Sequence, residues 1–220
     1  MLSVEDLKNK IILDDCLNVL KQLPDKCVDL CLSDPPYGIS YARGKNGWGE
    51  CDNRPDLKDV AWDKFAITKE YVDEMIRISK VQIIFGGNYI TDLLPVSKCW
   101  LVWDKCNGTT NKSVFADVEL VWTSLTKVCK MYSFRQMGFI KDTKDKRVHP
   151  TQKPSELFRM ILNDYSDEGM TILDPFAGSG TTAIACHDLK RNFICIEKEP
   201  SYVEISRKRL EEARMQLSLF

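Results

Sequence analysis

Short apolar segments rich in β-branched residues alternate with amphipathic segments along most of the 220-residue chain. The apolar segments predict strands. The amphipathic ones predict helices, as after Thr68, where apolar residues recur at helical spacing behind a plausible N-cap. Strands that alternate with helices form a mostly parallel sheet that helices cover on both faces. The predicted strands are 10–13, 28–33, 81–85, 99–103, 118–122, 128–132, 171–173 and 192–196.

Helices are predicted at 16–23, after Thr68, and at 155–165, 181–189 and about 201–216. Only a few residues join the runs at 118–122 and 128–132, which predicts an antiparallel hairpin at one edge of the sheet. The length suits one domain with a substantial core. We therefore expect a single α/β domain over 1–220, with a doubly wound, Rossmann-like mixed sheet.

Composition narrows the class of protein. Hydrophobic residues make up 44% of the chain and charged residues 29%, as in ordinary soluble proteins. No run approaches the roughly 20 apolar residues that span a bilayer, and the charged first ten residues do not match a signal peptide. The nine cysteines lack a disulfide spacing, and Cys27 and Cys31 have no second pair or nearby histidine. We expect reduced thiols, a cytoplasmic protein, no membrane contact and no metal.

Positive charge is concentrated in one part of this nearly neutral chain. Between positions 105 and 147, nine Lys or Arg face four Asp or Glu, an excess of five positive charges. A basic face on a neutral protein suits an enzyme that binds and then releases nucleic acid. A solvated loop with several lysines explains this charge equally well.

The predicted strands near the C-terminus end in residues that suit a nucleoside cofactor. Ligands of a doubly wound sheet bind outside the carboxyl ends of its strands. The run 174–180 reads Asp-Pro-Phe-Ala-Gly-Ser-Gly, whose glycines let a ligand approach the backbone, and Glu197 is placed to accept hydrogen bonds from a ribose diol. The G-x-G-x-x-G spacing is absent, and Asp174 would repel a pyrophosphate, whereas S-adenosylmethionine is cationic. A glycine turn that only packs a helix against a strand is the alternative.

The predicted strand 28–33 leads into Asp34-Pro35-Pro36-Tyr37. Two prolines fix the backbone and leave carbonyls free to accept hydrogen bonds. The Asp34 carboxylate and the Pro35 carbonyl would accept the two protons of an exocyclic base amine, which localises the nitrogen lone pair for attack on a methyl group. Tyr37 would stack on a base flipped out of the duplex. An incidental Asp-Pro turn is the alternative.

The order of these motifs resembles the permuted, or β, class of DNA amino-methyltransferases, in which D-P-P-Y precedes D-P-F-x-G-S-G. The resemblance covers nearly the whole chain and includes the segment from His149 to Pro154. It implies an S-adenosylmethionine-dependent enzyme of bacterial, phage or prophage type that acts on double-stranded DNA through residues 34–37. It further implies cofactor contacts at Asp15 (beside Asp14, where the family usually has glycine), Lys153, Asp174, Phe176, Ala177, Gly178, Ser179, Gly180 and Glu197.

Two segments are expected to face DNA. The interval 133–148 corresponds to a short target-recognition insert, and the loop at about 40–63 is expected to be mobile without DNA and to close over the flipped base. Basic side chains in these segments would contact phosphates, which position a protein without specifying sequence. The expected DNA contacts are Arg43, Lys45, Trp48, Arg135, Lys141, Lys144, Lys146 and Arg147.

The target base follows from the resemblance. The family tends to carry Ser-Pro-Pro-Tyr for cytosine N4 and Asp-Pro-Pro-Tyr for adenine N6, so Asp34 favours adenine. Cytosine N4 methylation uses the same chemistry and is the first alternative. A catalytically silent DNA-binding protein on the same fold is the second. With two histidines in the chain, a hydrolase triad is unsupported. A homodimer and a partner restriction nuclease are both compatible with the sequence, which does not specify the recognition site.

Overall fold

The computed structural model describes residues 2–38, 66–109, 116–137, 140–141 and 152–217. Its main sheet contains β1 (Lys10–Leu13), β2 (Val28–Ser33), β3 (Ser79–Phe85), β4 (Trp100–Asp104), β5 (Val118–Thr123), β6 (Lys130–Ser133), β9 (Thr171–Asp174) and β10 (Asn192–Glu197). A second, two-stranded antiparallel sheet pairs β7 (Gln136–Met137) with β8 (Ile140–Lys141). The helices are α1 (Val4–Leu7), α2 (Cys16–Leu20), α3 (Lys69–Ile78), α4 (Ser155–Tyr165), α5 (Thr181–Asp188) and α6 (Pro200–Leu217), with a 3₁₀ turn at Gly87–Tyr89.

The main sheet has the strand order β1-β10-β9-β2-β3-β5-β4-β6. The first five strands in this order run parallel, so their carboxyl ends lie along one edge. Strand β9 lies beside β2 although the two are far apart in sequence, and the Asp29 carboxylate accepts a hydrogen bond from the backbone N–H of Thr171 at 2.9 Å. The chain ends therefore both contribute strands to one sheet.

Strand residues alternate between two apolar cores, one on each face of the sheet. In β3, Ile83 and Phe85 pack into the first core, whereas Ile84 between them packs into the second. Helices α4, α5 and α6 cover the first face, and α1, α2 and α3 cover the second. The predicted doubly wound α/β fold with a mixed sheet is confirmed, and each predicted strand lies within two residues of an observed one.

The predicted pairing of the runs at 118–122 and 128–132 is wrong. Strand β5 is antiparallel to β3 on one side, with Ile84 opposite Trp122, and antiparallel to β4 on the other, with Leu101 opposite Val121. Because both edges of β5 are already hydrogen-bonded, β6 takes the free edge of β4 and runs parallel to it. The antiparallel partners of β5 are therefore β3 and β4, and β6 is not one of them.

The described residues contain no membrane-spanning helix, no cluster of metal ligands and no disulfide. None of their helices is long and apolar enough to cross a membrane. No group of three or more His, Cys, Asp or Glu within them could hold a metal ion, and their eight cysteines are free.

Candidate active site

Four acidic residues lie at the carboxyl ends of four neighbouring parallel strands. Asp15 follows β1, Glu197 ends β10, Asp174 ends β9 and Asp34 follows β2. Because these strands are adjacent in the sheet, the proposed catalytic loop and the proposed cofactor loop meet at one edge, where ligands of doubly wound sheets bind.

Asp174 is almost completely buried and both its oxygens accept hydrogen bonds. Oδ1 accepts from the backbone N–H of Phe176 at 3.1 Å, and Oδ2 accepts from the hydroxyl of Thr182. Burial is the main cause that raises the pKa of Asp174 to about 7; the negative charges of Asp34 and Glu197 act in the same direction, and these two hydrogen bonds act against them. This concentration of carboxylates favours a cationic ligand over a phosphate.

The two glycines that flank Ser179 have different environments. Gly178 has φ +49°, and a Cβ there would meet no described atom within 4 Å, so this side of the loop faces open space. Gly180 has φ +82°, and a Cβ there would lie 2.7 Å from the Cβ of Ser206 in α6. Gly180 therefore allows close packing of α6, while Gly178 leaves room for a ligand.

Glu197 organises the loop that contains Gly178. Its Oε2 accepts a hydrogen bond from the Gly178 N–H at 2.8 Å, and its Oε1 accepts one from the Glu199 N–H at 2.9 Å. Other members of the predicted cofactor set are engaged within the protein. The N–H of Ala177 donates to the Ile196 carbonyl at 2.9 Å, and Arg209 donates to Ser179.

Tyr71 in α3 connects Asp15 to the cofactor loop. Asp15 caps α2 through a 2.9 Å hydrogen bond from the Leu17 N–H, and the Tyr71 hydroxyl donates to Asp15 Oδ2 at 3.2 Å. The Tyr71 ring lies 5.9 Å from the ring of Phe176, measured between centroids. The sequence predicted a helix after Thr68, which contains Tyr71, but no local pattern indicated Tyr71 as a site residue.

Asp34 is held by two donors from different parts of the chain. The hydroxyl of Tyr37 donates to Oδ1, and the ammonium of Lys153 donates to Oδ2 at 2.7 Å. Lys153, which the resemblance places among the cofactor contacts, therefore has its side chain against Asp34. Pro35 is buried, and the Pro36 carbonyl accepts a 3.4 Å hydrogen bond from the Ile67 N–H.

The ring of Tyr37 is fixed by two residues that follow β3. It stacks on Tyr89 at a centroid separation of 5.1 Å, and its edge lies against Gly86, whose φ is +63°. Burial raises the pKa of Tyr37 well above its usual range, and the nearby Asp34 and Glu119 carboxylates raise it further. The phenol therefore stays protonated and donates. The sequence analysis did not predict this contact, although the Gly86-Gly87 pair after the predicted strand 81–85 is a signal for close approach to the backbone.

Lys153 also faces a second carboxylate, Glu119 in β5. Its Nζ lies 3.4 Å from Glu119 Oε2, and Lys105 Nζ lies 3.3 Å from Glu119 Oε1. Burial lowers the pKa of Lys153, but the charges of Asp34 and Glu119 outweigh burial and raise it above its ordinary value. Opposite charges therefore alternate from Asp34 through Lys153 and Glu119 to Lys105. The sequence showed no sign of the last two as site residues.

Most of the expected DNA contacts lie outside the described residues. These are Arg43, Lys45, Trp48, Lys144, Lys146 and Arg147, together with the whole loop 40–63. Among the described residues, Arg135 follows β6 and Lys141 ends β8. The assignment of these side chains to DNA stays a prediction.

Comparisons with known proteins agree with this geometry. Residues 97–208 match the family model for DNA methylase of the N6/N4 type. The chain is 30% identical over 246 residues to the Type II methyltransferase M2.DpnII of Streptococcus pneumoniae. The alignment covers 93% of this chain and 91% of that protein. The crystal structure of the M1.HpyAVI–SAM complex is similar at a TM-score of 0.58 and 27% identity, over 91% of this chain and 98% of that one. PvuII DNA methyltransferase (cytosine-N4-specific) shares the fold at a TM-score of 0.60 and 14% identity. The superposition covers 91% of this chain and 85% of that one.

Proposed function

This chain belongs to the N6/N4 family of DNA methylases, and we propose that it transfers a methyl group from S-adenosylmethionine to the N6 amine of adenine in double-stranded DNA. The observation that carries the proposal is the position of the Asp34 carboxylate. Tyr37 and Lys153 orient it just after β2, beside the carboxyl ends of β9 and β10, where Asp174 and Glu197 lie. An amine acceptor and a methyl donor can be held side by side only if both binding loops meet in this way.

The cofactor half of the edge fits S-adenosylmethionine, which supplies an electrophilic methyl group on a positively charged sulfur. The carboxylates of Asp174 and Glu197 favour a cation, and Gly178 leaves open space beside them. Each carboxylate oxygen has two acceptor sites, so Glu197 can bind a ribose diol while it holds the Gly178 N–H. Phe176 and Tyr71 would form an apolar wall next to Asp15.

Asp34 and the Pro35 carbonyl would act on the target amine. An adenine N6 amine is a weak nucleophile because its lone pair is delocalised into the ring. Hydrogen bonds from its two protons to these oxygens would localise the lone pair toward the methyl group. Positive charge develops on this nitrogen in the transition state, and a fixed carboxylate stabilises it. The methylated nitrogen is acidic, so no strong general base is required.

Tyr37 would bind the ring of the same base. The target amine is out of reach inside a duplex, so the nucleotide must be flipped out. Stacking of one base on an aromatic side chain contributes about 1–3 kcal/mol. Tyr89 lies behind Tyr37 and keeps its ring in place, since the two rings stack at 5.1 Å.

Cytosine N4 methylation is the second candidate, because it requires the same amine chemistry. The residue at position 34 supports adenine over cytosine, since Asp is typical of adenine enzymes in this family and Ser of cytosine enzymes. The fold does not separate the two target bases, because the cytosine-N4-specific PvuII enzyme shares it.

We extend the proposal in three further respects. Arg135 and Lys141 contact DNA phosphates, the protein is located in the bacterial cytoplasm, and it has a partner restriction nuclease.

A direct assay tests the target base. The full chain is incubated with S-adenosylmethionine and DNA from a methylation-free host, and the digested nucleosides are quantified by mass spectrometry. We expect N6-methyladenine. Detection of N4-methylcytosine alone would show that cytosine, not adenine, is the target. Absence of both products, in a protein that still binds S-adenosylmethionine and DNA, would support a silent DNA-binding protein.

A pair of variants tests the role of Asp34 in the same assay. Asp34→Ala should lower kcat by at least the roughly 10²–10³-fold that removal of one transition-state contact costs, with little change in cofactor affinity. Asp73→Ala is the matched control, because Asp73 forms an exposed ion pair with Lys69 in α3. Full activity of Asp34→Ala would overturn the catalytic assignment.

A further inference from the structure

Both oxygens of the Asp34 carboxylate already have donors within the protein. Tyr37 donates to Oδ1, and Lys153 donates to Oδ2 at 2.7 Å. The Tyr37 hydroxyl is neutral, but the Lys153 ammonium places a positive charge beside the group that must stabilise a developing positive charge. In a partly buried site two like charges repel more strongly than in water. Transfer to a base amine therefore requires that the charge of Lys153 be balanced elsewhere.

Glu119 is placed to provide that balance. Its Oε2 is shielded from solvent and makes no well-formed hydrogen bond within the described part of the chain, although Lys153 Nζ lies 3.4 Å away. Burial alone would raise the pKa of Glu119. The positive charges of Lys153 and Lys105 outweigh burial and hold this pKa below its usual range, so Glu119 is ionised. An ionised oxygen with unused acceptor capacity is thus within reach of the lysine.

We propose that Glu119 is a positioning residue for methyl transfer, which acts on Asp34 only through Lys153. When a base amine docks on Asp34, the Lys153 ammonium shifts from Asp34 Oδ2 toward Glu119 Oε2. A movement on the order of 1 Å brings Nζ to hydrogen-bonding distance of Glu119, and the flexible lysine side chain allows it. Lys105 holds the other oxygen of Glu119, with its Nζ 3.3 Å from Oε1. This inference rests on the proposed catalytic role of Asp34.

A purely structural ion-pair network would have a different signature. Loss of one partner from a buried pair destabilises the fold, because it leaves an uncompensated charge. Such a loss lowers the melting temperature without a selective effect on the chemical step. A positioning residue lowers kcat at unchanged cofactor affinity, and its effect disappears when the residue it acts through is removed.

A double-mutant cycle separates these roles. Glu119→Gln, Lys153→Met and the double variant are compared by single-turnover transfer of a labelled methyl group to whichever base the wild type modifies. We expect Glu119→Gln to slow transfer about 10-fold or more, though less than the roughly 10²–10³-fold of a direct contact. In the Lys153→Met background the same substitution should cause no further loss. Cofactor affinity should stay within about twofold in the Glu119 variant.

The control is Glu74→Gln, which neutralises a comparable glutamate. Glu74 is 17% exposed and pairs with Arg77 at 2.7 Å, whereas Glu119 is 24% exposed. This control should change stability and leave the transfer rate intact. Equal losses from Glu119→Gln in both backgrounds, or no loss at all, would overturn the inference. The outcome is independent of the target base. Full activity of Asp34→Ala would overturn the catalytic assignment on which this inference rests, and absence of any methylated base from the wild-type assay would overturn the proposed function.

Discussion

Gly86 lies so close to Tyr37 that a Cβ at position 86 would fall 2.2 Å from Cε1 and Cζ of the tyrosine ring. No real side chain tolerates that distance, so the ring of Tyr37 can occupy its position only because residue 86 is glycine. The positive φ of Gly86, +63°, adds a second reason for glycine at this point. The turn after β3 therefore determines where the proposed base-stacking ring lies.

Gly86→Ala should displace Tyr37 and lower kcat for DNA methylation at least tenfold, since misplacement by about 1 Å can cost 10²-fold. Cofactor affinity should change little. Gly169→Ala is the matched control, because Gly169 also has positive φ, +82°, but a Cβ there would meet no atom of the described residues within 4 Å. Both variants carry similar backbone strain, so equal activity of the two in a steady-state assay would show that the contact with Tyr37 is unimportant.

Glu197→Ala should weaken S-adenosylmethionine binding, measured by isothermal titration calorimetry. The substitution removes a proposed ribose acceptor and the anchor of the Gly178 and Glu199 N–H groups. Hydrogen bonds to a charged group contribute about 1.5–3 kcal/mol each, which corresponds to a roughly 10- to 100-fold increase in Kd. Glu204→Ala removes an exposed carboxylate from α6 and should bind the cofactor normally. Unchanged Kd in Glu197→Ala would contradict the assignment.

Asp174→Asn should change how the stability of the cofactor-free protein depends on pH. Burial raises the pKa of Asp174 from 3.8 to about 7, so the folded state binds a proton that the unfolded state has released. The contribution of Asp174 to stability therefore falls as pH rises from about 4 to 7, by up to about 4 kcal/mol. Asp174→Asn should remove this fall and be the more stable protein at pH 8.

Urea unfolding across pH 4–8 measures the effect of Asp174→Asn. Asp167→Asn, at an exposed position, should keep the wild-type slope. A slope in Asp174→Asn equal to that of the wild type would mean that Asp174 does not titrate in this range.

Replacement of residues 45–54 by a glycine-serine linker of equal length should reduce DNA turnover far more than cofactor affinity. The prediction rests on the sequence, because this segment lies outside the described residues. Its Lys45 and Trp48 suit contact with a phosphate and a flipped base. Fluorescence-detected DNA binding and calorimetric cofactor binding would be compared in one preparation. Equal losses in both would exclude a role confined to DNA.

Local sequence patterns were sufficient for most of the fold. Apolar runs predicted β1 and β2 to the residue, because apolar residues are concentrated in both segments, although β2 is mostly buried and β1 is an edge strand with exposed ends. The acidic residues after these runs could be placed at one edge, since parallel strands present their carboxyl ends together. The pairing of β6 with β4 could not be predicted, because it depends on which sheet edge is free after β5 has bonded on both sides.

The sequence by itself determined the alternation of strands and helices and the residues at the strand ends: Asp34, Asp174 and Glu197. The alternation follows from hydrophobic periodicity, and the residues at the strand ends are recognised from the turn-forming residues beside them; both signals are short-range. Only the tertiary structure decided which side chains meet. The contact between Lys153 and Asp34 joins residues 119 positions apart, and Gly86 meets Tyr37 across two strands. Such contacts depend on strand order and side-chain direction in three dimensions, which no local pattern encodes.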